Sequence, residues 1–146
     1  MHDSLSSPLG HYFRQMLVAK QPGSLSKQVA QGAECVSAGD LAGLHGLLPD
    51  VMIKAALITD SQRLRQRVEL LAAFMLESPP AANSPAHREI AFVLFYFLKG
   101  QDLIPDSLPE IGLLDDALLV DVAMQRNLLA LQSHRADRGQ SWPDNI

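Results

Sequence analysis

The sequence predicts an all-α fold, a single-domain helical bundle of about five to seven helices. Three observations carry that prediction. Thr59 is the only threonine, and valines and isoleucines are scattered rather than alternating, so strand signals are missing. Leucine, alanine and glutamine are prominent, which favours helix. Apolar residues recur at helical spacing between the Ser, Asp, Pro and Gly signals that start and stop helices. A chain of 146 residues can bury a core without disulfide or metal staples.

The first helix is expected from Pro8 to Lys20, capped by Ser7, with Leu9, Phe13, Met16 and Leu17 on one stripe. Gln21-Pro22-Gly23 ends it. A second helix starts near Ser24 or Ser26 and turns Val29, Ala33 and Val36 inward, with Gly32 weakening it. Gly39 then reads as a stop and Asp40 as a fresh cap. Leu41, Leu44, Leu47 and Leu48 form a short apolar turn in which Gly43 and Gly46 allow close packing. Asp50 caps a further short helix through Ile58. Asp60 or Ser61 caps a long helix to about Glu77, with Leu64, Val68, Leu71, Ala72, Met75 and Leu76 as its stripe.

Ser78 to Asn83 reads as an exposed connector. Ser84 caps the next helix, with Pro85 at its first position. From Ile90 to Leu98 that helix is apolar all round, so it is either buried on most sides or in contact with lipid. Gly100 ends it. The last helix begins between Ser107 and Leu113. Ile111, Leu114, Leu118, Val122 and Leu129 share one of its faces, and Asp116, Val120, Ala123 and Asn127 the opposite one. These last two helices make a C-terminal hairpin closed by an Asp/Pro loop. The domain expected is 1–132, with N-terminal helices in 1–78 and the hairpin in 84–132. A polar tail, 133–146, frays and leaves Trp142 isolated.

Bulk properties exclude several functions. The net charge of −4 and pI near 5.6 give no basic face to follow a phosphate backbone, which argues against nucleic acid. Cys35 is the only cysteine, so neither an internal disulfide nor a multi-cysteine metal cluster is available; it reads as packing within a helix. The N-terminal residues do not read as a signal peptide. The apolar run Ile90 to Leu98 is half the length of a spanning helix, which needs roughly twenty residues. The localisation expected is cytoplasmic, with the periphery of the inner membrane as the alternative. No HExxH, G-x-S-x-G, P-loop or G-x-G-x-x-G pattern occurs. His11, His45 and His134 are isolated. His87 and Glu89 stand at the far end of the apolar helix from its C-terminal loop. Arg63 and Arg67 share a helix face, and Asp121 faces a partner or solvent.

The most particular stretch is Asp102 to Asp116. Asp102–Pro105 and Asp106–Pro109 are two consecutive Asp-x-x-Pro units. Each aspartate can accept main-chain N–H bonds from the residues after it, and each proline fixes its own φ. The loop is then stiff, with Leu103, Ile104 and Leu108 as pins into the core. Asp115 and Asp116 fall in the first turn of the final helix, where the helix dipole favours negative charge by about 0.3–1 kcal/mol each. The same hairpin geometry gathers Asp102, Asp106, Asp115 and Asp116 at one end. Four carboxylates there repel one another unless a cation or protons intervene, and an all-oxygen set suits Mg²⁺ or Ca²⁺. Lys99 can neutralise part of that charge instead.

Asp102-Leu103-Ile104-Pro105-Asp106, followed by Pro109, Gly112, Asp115 and Asp116 and preceded by the apolar helix Ile90 to Leu98, resembles the YkvA-like family, a bacterial domain of unknown function. The resemblance spans Glu89 to Met124. It implies a small helical domain, with Asp102, Pro105, Asp106, Pro109, Gly112, Asp115 and Asp116 as its structural motif, and no established catalytic residues. Gly100-Gln101 replaces a serine-proline-apolar run, and Ser107 and Glu110 stand at usually apolar positions. Both changes make the loop more polar and disfavour its insertion into lipid. The leading functional expectation is a non-enzymatic module without cofactor that works by contact with a second copy or a protein partner. The alternatives are a divalent-cation-binding protein or metal-dependent hydrolase using the four aspartates, and peripheral membrane attachment.

Overall fold

A computed structural model describes residues 6–19, 25–59, 61–98, 113–144 and 146, with 14–19 and 113–116 as backbone. Among these, seven helices and no strands occur. They are α1 (Ser7–Ala19), α2 (Leu25–Glu34), α3 (Ala38–Ala56), α4 (Gln62–Leu76), α5 (Pro85–Phe97), α6 (Leu113–Arg126) and α7 (Leu128–Asp137). The predicted all-α bundle is what forms.

The all-apolar helix α5 is the hub. It packs against α2, α3, α4 and α6, and Phe92 and Tyr96 meet the rings of Tyr12 and Phe13 from α1. Every side chain from Ile90 to Leu98 is buried. Being apolar all round therefore reflects burial on every side, and this helix has no face left for a bilayer. Its start follows the sequence: Ser84 accepts the His87 N–H and Pro85 opens the helix.

Close approach to α5 explains Gly32. A Cβ there would overlap the Phe92 ring, so the residue that weakens α2 as a helix is what lets α2 lie on α5. Val29, Ala33 and Val36 point inward as predicted, as do Leu9 and Phe13 of α1.

The region from Ala38 to Ala56 differs from its reading as two short pieces. It is one helix with Pro49 inside it. An internal proline costs about 3 kcal/mol. Against that, Leu41, Leu44, Leu48, Val51, Ala55 and Ile58 form one unbroken inward stripe. Burying six side chains together outweighs one lost N–H bond, so Asp50 is an exposed mid-helix residue rather than a cap. The cap is Ser37, not Asp40. Ser37 Oγ accepts the Asp40 N–H at 3.0 Å, and the Asp40 carboxylate accepts the Ser37 N–H at 2.9 Å. Asp40 also accepts the Ser6 N–H and hydroxyl at 2.8 and 2.7 Å, which fixes the entry to α1. Among the described residues, Gly43 and Gly46 support no close packing, since a Cβ at either meets nothing within 4 Å.

Helix α4 starts at Ser61, whose Oγ accepts the Leu64 N–H; Asp60 lies outside the described residues. Its predicted stripe is buried except for Leu76, which is exposed.

The last helix is corrected. It breaks at Asn127 into α6 and α7. Of the two opposite faces, the one carrying Val120, Ala123 and Asn127 is buried, while Leu118 and Leu129 on the more apolar one are exposed. The reason is an ion pair treated below. The fraying expected from Ser133 is also corrected: α7 continues to Asp137, His134 reaches Glu77, and Trp142 packs partly buried against the core.

Candidate functional site

The residues singled out from sequence, Asp102, Pro105, Asp106, Pro109 and Gly112, lie outside the described residues. Asp115 and Asp116 are the third and fourth residues of α6, and their side chains lie outside them too. Among the described residues no group of three or more His, Cys, Asp or Glu is arranged to hold a metal ion.

Three polar clusters join the helices, and sequence reasoning missed all of them. In the first, Glu89 on α5 is buried yet charged. Arg126 donates to both its oxygens, Nε to Oε1 at 2.9 Å and NH2 to Oε2 at 2.8 Å. Asn127 Nδ2 adds a bond to Oε1 at 3.1 Å, and Arg126 continues to the Ser26 hydroxyl at 2.7 Å. The Arg126 guanidinium, helped by Asn127, holds the Glu89 carboxyl below the usual carboxylate range against the opposing effect of burial. This pairing selects the buried face of α6.

The second cluster closes the connector between α4 and α5. The Ser78 hydroxyl donates to the Phe74 carbonyl at 2.6 Å, so it accepts from His87 Nε2 at 2.9 Å. His87 Nδ1 is then the acceptor for the Ser84 hydroxyl at 2.6 Å. Both ring nitrogens are engaged in holding the turn, and burial, with the charges of His134 and His45, lowers the His87 pKa. The Phe74 ring lies between His87 and His134, at 4.7 and 4.9 Å. In the third cluster, Glu77 at the end of α4 accepts from His134 at 2.8 Å and pairs with Arg138 at 3.1 Å. Asp121 is half-exposed, as one of its two expected settings had it, and it also pairs with Arg67 on α4 at 3.0 Å. In each cluster the charged groups are paired across helices, which is the chemistry of a cross-link, although Arg67 Nε and the Gln140 Oε1 beside Glu77 are buried without a partner among the described residues.

Cys35 is the first residue after α2 rather than within it. Burial, with Glu34 beside it, pushes its thiol pKa up and disfavours the nucleophilic thiolate.

The feature with unmatched chemistry is apolar. Between α3 and α4 runs a groove of about 160 Å³ lined by Leu48, Pro49, Met52, Ala72, Ala73 and Leu76. No charged residue lines it. Leu48 and Ala72 form its floor, while Met52 and Leu76 stand exposed at its rim. On the outward side of α3 and at its end, Ile53 is 62% and Leu57 73% exposed. The apolar run Ile90 to Leu98 of α5 is covered, and this exposed apolar face lies on α3 and α4. A smaller apolar set, Leu118, Leu128 and Leu129, is exposed on α6 and α7. Among the described residues no helix is long and apolar enough to cross a membrane.

Residues 89–120, from the first turns of α5 into α6, match the model of a family described as "Protein of unknown function (DUF1232)". No curated protein and no solved structure matches the chain.

Proposed function

We propose that this chain is a non-enzymatic helical interaction module whose working surface is the α3/α4 face. The observation that carries the reading is the uncharged groove with Met52 and Leu76 exposed at its rim. Apolar surface gathered in one place on a stable domain has a physical use when something covers it. The ion pairs, by contrast, join helices within the chain. We read the spacing of Asp102, Asp106, Asp115 and Asp116 as resembling a YkvA-like scaffold, in which α5 and α6 form the frame and the N-terminal helices carry the contact surface.

The test is binding of an apolar fluorescent dye to the native protein. Met52→Gln with Leu76→Gln should keep the helical spectrum and lower the bound dye signal severalfold. An unchanged signal rules the face out as the exposed apolar site. The cation-binding alternative rests on the spacing of the four aspartates. Calorimetric titration with Mg²⁺, Ca²⁺ and Mn²⁺ separates it, through binding heat that Asp102→Asn and Asp115→Asn abolish.

A further inference from the structure

The C-terminal residues double back on the bundle. Helix α7 ends in a closed turn: the Gly139 N–H donates to the Ala136 carbonyl at 3.0 Å and the Gln140 N–H to the Arg135 carbonyl at 2.8 Å. Gly139 itself has φ +73°. That pair of bonds around a left-handed glycine reverses the chain. Residues 140–144 and 146 then form a strap without helix or strand, laid along α4 against its direction. At one end Gln140 Nε2 donates to Glu77 at 3.4 Å; at the other Arg67 donates to the main-chain oxygen of Ile146 at 3.1 Å. Arg67, Leu70, Phe74 and Glu77 follow one another at steps of three or four, so they share a face of α4. Leu70 and Phe74 are buried between the two polar ends. The face from Arg67 to Glu77 is about 15 Å long at the helical rise, and an extended chain from Gln140 to Ile146 reaches about 20 Å. The strap therefore spans it.

Its hold is slight. The apolar anchors, Trp142 and Ile146, are only partly buried against the core. The remaining bond, from Arg135 Nε to the Ser141 carbonyl at 2.8 Å, is exposed. Arg67 Nε and Gln140 Oε1, at opposite ends of the strap, are buried and find no partner among the described residues. A buried polar atom left unmatched costs as much as a protein hydrogen bond gains over water, so the polar ends add little net stability. Both atoms regain water when the strap lifts. The pairs that fasten the helices, His134 and Arg138 on Glu77 and Arg67 on Asp121, do not use strap residues and stay made.

We infer that the strap after Gly139 is a latch: it opens on that glycine while the seven helices stay folded, and it uncovers apolar surface on the Leu70 and Phe74 face of α4. A segment with few buried contacts and exposed bonds opens far more readily than the core beneath it. This inference does not depend on the groove reading.

Trp142 is the only tryptophan, so its emission reports the strap while far-UV ellipticity reports the helices. In a urea titration of the full chain, the Trp142 red shift should be complete before ellipticity falls. Its slope should be less than about half that of the helical transition, because a short segment exposes little surface. An apolar dye should brighten in the window between the two transitions. It should brighten equally in Met52→Gln with Leu76→Gln, since the groove is lined by other residues. Gly139→Ala adds a side chain that meets nothing within 4 Å but is strained at that φ. It should move the Trp142 midpoint to lower urea and leave the helical midpoint in place. Coincident transitions of equal slope overturn the latch, as does a Gly139→Ala that shifts both midpoints together or neither. Emission already fully red without urea overturns it as well, because the strap is then not docked. Separate transitions without a rise in dye signal overturn the apolar face beneath the strap, and the latch with it.

Discussion

Gly32→Ala is the sharpest test of the packing. Exchanging glycine for alanine in a helix normally stabilises by about 1 kcal/mol. Here the added methyl enters the space of the Phe92 ring. That ring cannot step aside. It is fully buried, stacked on Phe13 with centroids 4.9 Å apart and planes within 3°, and met edge-on by Tyr12 at 5.7 Å. Over-packing at such a site costs about 1–3 kcal/mol, and the locked ring places it at or above the upper end. The net expectation is a loss of about 2 kcal/mol, or a melting temperature lower by about 4–8 °C for a domain of this size. Urea unfolding followed by circular dichroism measures it, with the midpoint falling and the slope unchanged. Trimming the ring should make room. In the double variant Gly32→Ala/Phe92→Leu, the two losses should fall short of additivity by about 1 kcal/mol or more. If Gly32→Ala is as stable as the wild type, α2 does not lie against α5 as described.

Gly43→Ala and Gly46→Ala, at low micromolar protein, should each stabilise by about 0.5–1 kcal/mol, since neither methyl meets a neighbour; a loss in urea unfolding would place a hidden contact there. Glu89→Gln should destabilise by about 2 kcal/mol. Arg126 is partly exposed and can turn to water, so the loss stays below the 3–5 kcal/mol of a fully buried pair; thermal melts with no change would show the cluster to be incidental. Stability should fall in two stages on acidification. The fold favours neutral His87, whose pKa lies below its ordinary 6.5, so its contribution is complete above pH 6.5 and is lost as pH drops below that value toward the folded pKa. Glu77 and Glu89 are held below their ordinary 4.5, so their contributions are present above pH 4.5 and are lost beneath it. Melts at half-unit steps from pH 8 to 3 should show both stages, and His87→Asn should remove the upper one.

What the sequence disclosed was whatever depends on neighbours along the chain. Ser61, Ser84 and Pro85 start helices as read, because a cap acts within three residues. The burial of Ile90 to Leu98 was legible because a helix without a polar side needs cover in every direction. The errors arose where a distant partner decided the outcome. On α6 two faces carry apolar residues at helical period, and Asn127 made one of them look like the outside. Glu89, 38 residues earlier, supplies Asn127 with an acceptor and Arg126 with a counter-charge, so the face with the polar residue is the one buried. Pro49 misled in the same way: locally it breaks a helix, but the stripe from Leu41 to Ile58 carries the chain through it. Gly43 and Gly46 misled for a related reason. Gly43 and Gly46 were noticed as places of close approach, and that reading assumed the approaching element belonged to the same molecule. Among the described residues a Cβ at either position meets nothing, so the close approach read from the sequence is not made within this part of the fold.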